Sequence, residues 1–144
     1  MKILLADDHD VVRKGLRAIL EKDVPGCIVI EAADGLKAVD LVRRLKPELA
    51  VLDISMPGLN GLEAVRQISG LDSGTRIIIL SIHQSETFVN SALRYGATAY
   101  LLKERVVEEL TKAIGAVLQG KLYLSPPLRG FLRPGPKGSQ IPPP

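Results

Sequence analysis

With 144 residues, 46% of them hydrophobic, the chain has room for one domain with a sizeable core, or one domain and a tail. An apparent pI of 9.1 suggests nucleic acid, but all sixteen acidic residues lie within residues 1–124 beside sixteen of the nineteen Lys and Arg, so that body is neutral and the surplus is Arg129, Arg133 and Lys137. Aromatic content of 3% without a Trp offers bases no stacking platform, so the folded body is not expected to bind nucleic acid by itself.

Apolar runs alternate with helical periodicity five times. Lys2–Ala6 reads as a strand, and the acidic Asp7-Asp8 pair that follows interrupts the run, so no signal peptide is expected. Asp8–Glu21 reads as a helix with Val12, Leu16, Ile19 and Leu20 on one face. Cys27–Ala32 is a second strand. Cys27, the one cysteine, excludes an internal disulfide, fits a reducing compartment and is expected in the core. Asp34 opens a helix with the stripe Ala38, Leu41, Val42 and Leu45, and Pro47 follows its end. Leu49–Leu52 is a strand apolar enough to be buried on both faces. It delivers Asp53 and breaks into the turn Met56-Pro57-Gly58. Leu62, Val65 and Ile68 mark a third helix, Arg76–Leu80 a fourth strand, and Phe88, Val89, Ala92 and Leu93 a fourth helix closed by Gly96. Ala99–Leu102 is a fifth strand, and Val107, Leu110, Ile114, Val117 and Leu118 stripe the last helix. Five such units call for an α/β, doubly wound, five-stranded parallel sheet with five helices. No stretch reaches the length of a membrane span, and a cytoplasmic location is expected.

From Ser125 the composition changes. Seven of the ten prolines and no acid fall in residues 125–144, which read as a Pro-rich basic linker or tail beyond a domain of residues 1–124. Leu128, Phe131 and Leu132 could dock on the body or start a short helix, but a mobile tail is the preferred reading. Arg129, Arg133 and Lys137 read as solvated charges.

In a parallel sheet all strands end on one side. Asp7 and Asp8, Asp53, Ser81 and Lys103 stand at those ends and converge on one rim. Three carboxylates repel one another unless a cation sits among them. Hard oxygen ligands suit Mg²⁺, which commonly holds phosphate as well. An Asp there can act as a nucleophile that forms an aspartyl phosphate, with Lys103 and Ser81 on the phosphoryl oxygens.

Asp7-Asp8, the run Leu52-Asp53-Ile54-Ser55-Met56-Pro57-Gly58 with Gly61, Ser81, and Tyr100-Leu101-Leu102-Lys103 together resemble the receiver domain of two-component response regulators, over residues 1 to about 124. The resemblance implies a flavodoxin-like sheet with strand order 2-1-3-4-5. It implies Asp53 as phosphoacceptor. It also implies Mg²⁺ held by Asp8 directly, by Asp7 through water, by Asp53 and by the Ser55 backbone carbonyl. Lys103 would pair with the phosphoryl group, Ser81 would swing toward it, and Tyr100 would move inward as Ser81 moves. Ser55 and His83 would tune how long the phosphate lasts. The implied partners are a sensor histidine kinase and a second copy of the chain once phosphorylated, with no membrane. Asp7-Asp8-His9, Ser81-Ile82-His83 and Tyr123-Leu124-Ser125-Pro126 resemble the subfamily with a C-terminal LuxR/NarL-type helix-turn-helix. That DNA-binding domain is not among these residues, so the expectation is a piece of a transcription regulator. Glu104 stands where many receivers have Pro, and a trans bond is expected there because a cis one costs about 3 kcal/mol.

His9 reads as a helix-start residue rather than a ligand. The phosphorylation switch, which is not a turnover enzyme, competes with a phosphorylation-independent interaction module. That module would have lost an acid or the Lys, and none is lost. An aspartyl phosphatase needs a second acid soon after the nucleophile, and Ile54 and Ser55 cannot supply it. Neither a Walker A sequence nor a dinucleotide glycine pattern occurs.

Overall fold

A computed structural model describes residues 1–132. Strand and helix alternate as the periodicity requires: β1 (Lys2–Ala6), α1 (Asp10–Asp23), β2 (Ile28–Ala32), α2 (Gly35–Leu45), β3 (Leu49–Asp53), α3 (Gly61–Gly70), β4 (Arg76–Ser81), α4 (Glu86–Tyr95), β5 (Ala99–Leu102), α5 (Val106–Leu118) and β6 (Tyr123–Leu124). The strands are parallel and ordered β2-β1-β3-β4-β5-β6. The expected order 2-1-3-4-5 holds, with a sixth strand added outside β5.

Strand pleating divides the core in two. Ile3 and Leu5 of β1, with Val51, Ile78 and Leu101, pack under Leu16 and Leu20 of α1 and Leu110, Ile114 and Val117 of α5. Leu4, Leu52, Ile79 and Tyr100 face the other way, under α2, α3 and α4. Every residue of β3 is buried, as its unbroken apolar run demands. Side-chain caps start three helices: Asp34 accepts from Lys37 N–H, Asn60 from Glu63 N–H and Ser85 from Phe88 N–H. Gly96 ends α4 at φ 128°, where a side chain would be strained. Among the described residues no helix is long and apolar enough to cross a membrane.

Several expectations are corrected. Val12, Val107 and Leu118, assigned to helix stripes, are exposed, Val107 at 70%. On α5, Val106 rather than Val107 stands one helical turn before Leu110 and falls on the buried face with Ala113, Ile114 and Val117. Cys27 is half-buried just ahead of β2, its Sγ donating to the Leu20 carbonyl at 3.5 Å.

The chain does not leave the body at residue 124. Tyr123 and Leu124 pair with Ala99 and Tyr100, and Pro126–Phe131 form a 3-10 helix that packs beside α4. Leu128 is fully buried there. Buried Ser125 accepts from Leu102 N–H at 2.9 Å and donates to Glu109 Oε1 at 2.6 Å. Proline content does not prevent docking, because three apolar side chains at helical spacing find the edge of the core. Arg129 is not a free solvated charge. Its Nε donates to the Leu124 carbonyl at 3.0 Å and its guanidinium lies over the Tyr123 ring. Arg133, Lys137 and the rest of the expected tail lie outside the described residues.

Candidate phosphoacceptor site

β1, β3, β4 and β5 run in one direction, so their carboxyl ends share a rim. Asp7 follows β1, Asp53 closes β3, Ser81 closes β4 and Lys103 follows β5. Asp7, Asp53 and Ser81 are buried. Asp8 stands exposed at the rim.

Lys103 draws the acids together. Its Nζ donates to Asp53 Oδ2 at 2.9 Å and lies 3.5 Å from Asp7 Oδ2. Burial opposes the ammonium, but the Asp53 hydrogen bond and the charges of Asp53 and Asp7 outweigh it, so the Lys103 pKa sits above its ordinary value. The other Asp53 oxygen accepts from Ser55 N–H at 3.1 Å. Asp7 Oδ1 accepts from His9 N–H at 2.8 Å, while Asp7 Oδ2 is buried with no hydrogen bond.

Asp7, Asp8, His9 and Asp53 each present a ligand atom within 4.8 Å of the others. An orphaned carboxylate oxygen inside a cluster of carboxylates is what a hard divalent cation satisfies, so the donor set fits Mg²⁺. His9, read from sequence as a helix-start residue, does occupy the N-cap of α1. Its ring also lies against the acids, with Nδ1 3.1 Å from Asp7 Oδ1 and 3.2 Å from Asp8 Oδ1.

A second set of contacts leads away from the acids. Ser81 Oγ accepts from His83 N–H at 2.9 Å. The Tyr100 hydroxyl, fully buried, donates to the His83 carbonyl at 3.1 Å. The His83 backbone is therefore held at its N–H by Ser81 and at its C=O by Tyr100. Burial holds the Tyr100 phenol above its ordinary pKa. The His83 ring is half-buried and tilts against Phe88 with centroids 4.8 Å apart. The described residues contain no cis peptide bond, so Lys103–Glu104 is trans as expected.

Asp7, Asp8, Asp53 and Lys103 thus meet, whereas Ser81 ends the neighbouring strand and its Oγ engages His83 N–H. Ser55 is placed by its backbone N–H, on Asp53, whereas the expected role of its carbonyl is not drawn from a contact. Gly61 sits so close under Asp53 that a Cβ there would overlap Ile54 Cα and the Asp53 carbonyl. Two contributors escaped the sequence reading. Arg13 donates to the Asp7 carbonyl at 2.6 Å, and its one signal was its place one turn into the helix after Asp8. Glu109, buried on α5 between Arg105 and Ser125, was missed because the expected stripe ran through Val107, whereas the observed buried face runs through Val106 and Ala113 and includes it.

A family model described as the response regulator receiver domain matches residues 3–115. The chain is 36% identical over 126 residues to the transcriptional regulatory protein DegU of Brevibacillus brevis, covering 88% of this chain and 53% of that one. It is 36% identical over 130 residues to the nitrate/nitrite response regulator protein NarL of Escherichia coli K12, covering 90% and 60%. The chain therefore spans between half and two thirds of the length of these curated relatives. Among solved structures, a LuxR-family two-component response regulator from Aurantimonas sp. SI85-9A1 superposes with a TM-score of 0.84 at 39% identity, covering 90% of this chain and 93% of that one.

Proposed function

The chain belongs to the response regulator receiver domain family, and on that premise we propose that it is a phosphorylation-controlled switch accepting a phosphoryl group on Asp53 from a histidine kinase. The observation that carries the proposal is the Lys103 ammonium between two buried carboxylates from separate strands. In the resting state its hydrogen bond orients the Asp53 carboxylate. In transfer, an Asp53 oxygen forms the new O–P bond as the P–N bond of the phosphohistidine breaks, and the imidazole keeps that electron pair and takes a proton. Lys103 then neutralises phosphoryl charge where Asp53 had been its partner. Asp7, Asp8 and Asp53 would hold Mg²⁺, with the Ser55 carbonyl as a further ligand, and the bound ion would supply charge neutralisation at the transferring group.

The route outward follows the His83 peptide. If Ser81 Oγ turns to the new phosphoryl oxygens, it gives up His83 N–H, and the group that accepts from Tyr100 is freed with it. Conversion of the singly charged Asp53 carboxylate into an acyl phosphate carrying about two negative charges would thereby bias the packing of Tyr100, hence the face made by α4, β5 and α5. Tyr100 already points inward in this structure, so the expected inward movement is a shift in population. Ser55 and His83, two residues past Asp53 and Ser81, would set phosphate lifetime through access of water.

An apolar groove of about 300 Å³ between α1 and α5, lined by Val12, Ile19, Val106 and Val107, opens beside Lys103. A kinase delivering its phosphoryl group to Asp53 approaches over this ground. Self-hydrolysis of the acyl phosphate, not turnover of a substrate, completes the cycle. By analogy with relatives named as transcription regulators, output would be DNA binding through a helix-turn-helix outside these residues, with phosphorylation favouring a homodimer in the cytoplasm.

The test is incubation with Mg²⁺ and acetyl phosphate, or with a beryllofluoride analogue, read by intact mass and NMR. The expected result is a single adduct, absent in Asp53→Asn. Labelling that persists in Asp53→Asn removes Asp53 from this role. No adduct on the unmodified chain favours the phosphorylation-independent module instead.

A further inference from the structure

The loop that carries Asp7 and Asp8 lacks the usual helix cap: His9 is the N-cap of α1, and its side chain makes no cap bond. Asp7 N–H donates to the Ala32 carbonyl of β2 at 3.1 Å, and two further bonds hold the loop beyond that anchor. His9 N–H donates to Asp7 Oδ1 at 2.8 Å, and Arg13 Nη1 donates to the Asp7 carbonyl oxygen at 2.6 Å. The same guanidinium donates through Nε to Glu31 Oε1 at 2.7 Å and through Nη2 to Asp10 Oδ1 at 2.6 Å. Glu31 stands on β2, in register with Leu5 of β1, and its second oxygen accepts from Arg17 at 2.6 Å. Arg13 therefore spans helix, sheet and acidic loop, with its side chain only 12% exposed.

We propose that Arg13 is a positioning residue for the acidic site: by fixing the Asp7 carbonyl it sets the Asp7–Asp8 peptide, and so aims both carboxylates at a shared divalent cation. The inference rests on the proposed Mg²⁺-dependent function of that site. A planar fork presents donors from three separate nitrogens in fixed directions and so reaches acceptors on loop, helix and strand together; an ammonium offers its three donors from one nitrogen and lacks that span. The sign of the effect separates a strut from a counter-charge. Glu31 and Asp10 already neutralise the Arg13 charge at contact distance. Removing a mere counter-charge would leave Asp7, Asp8, Asp10 and Glu31 in a more negative field and tighten cation binding. Removing a strut loosens the loop and weakens it.

The test is Mg²⁺ titration of the full chain, followed through the backbone amide shifts of Asp7, Asp8 and His9. Phosphorylation by acetyl phosphate and urea unfolding are measured alongside. Arg13→Ala and Arg13→Lys are expected to raise the Mg²⁺ Kd roughly tenfold, the usual scale for losing a group that orients metal ligands. Phosphorylation at saturating Mg²⁺ recovers toward that of the unmodified chain. Arg17→Ala breaks the other arm on Glu31, spares the bond to Asp7, and leaves the Kd unchanged. Should Arg13→Ala fail to fold, Arg13→Lys, which keeps the charge and loses the fork, carries the test. An unchanged or lower Kd in these variants, with normal binding by the unmodified chain, overturns the role of Arg13 and leaves the site reading intact. An unmodified chain that neither binds Mg²⁺ nor takes phosphate overturns both.

Discussion

Lys103 and Asp53 stand fifty positions apart in sequence, and the Lys103 ammonium donates to the Asp53 carboxylate at 2.9 Å. This pair closes a site that would otherwise bury like charges together, since Asp7 also faces the ammonium and is wholly buried.

Replacing Lys103 by Met strands both carboxylates. Without divalent cations, unfolding in urea near neutral pH is expected to show a loss of about 3 kcal/mol, the scale for removing one partner of a buried ion pair. Millimolar Mg²⁺ restores part of that loss by supplying the missing cation, and restores less to the unmodified chain. Equal gains in both proteins would show that Lys103 and the ion do not share their partners.

The segment after β6 offers an independent check on where the domain ends. Leu128 is fully buried against the core under α4. Leu128→Ala should lower stability by about 2–4 kcal/mol, as core truncations do. A chain ended after Leu124 should melt below one ended after Leu132. If residues 125–132 were a solvated tail, both changes would be silent.

The Arg13 and Arg17 hydrogen bonds hold the Glu31 carboxyl below its ordinary value of 4.5. Its pKa is lower folded than unfolded, so the unfolded chain binds more protons between the two values. The stability Glu31 contributes is therefore present above the ordinary carboxylate pKa and is lost as pH falls through the folded value. Glu31→Gln removes that contribution. The stability gap between the two proteins, from urea titrations between about pH 7 and about pH 3, should be flat near neutrality and shrink in acid. A gap independent of pH would show that the carboxylate charge is not what Arg13 and Arg17 engage.

The alternation of strands and helices, the buried third strand and the rim residues Asp7, Asp8, Asp53, Ser81 and Lys103 were legible in the amino-acid order. Local periodicity reports which face of an element is apolar, and parallel strands place their last residues together whatever the loops do. Other features were decided by tertiary structure. β6 and the Pro126–Phe131 helix formed because β5 left an edge to pair and α4 left apolar surface to cover. Arg13 joined the site because β2, β1 and α1 happen to meet there. In each case the deciding partner is remote in sequence, and a residue's own neighbours along the chain hold no record of which distant group will satisfy its hydrogen bonds or bury its side chain.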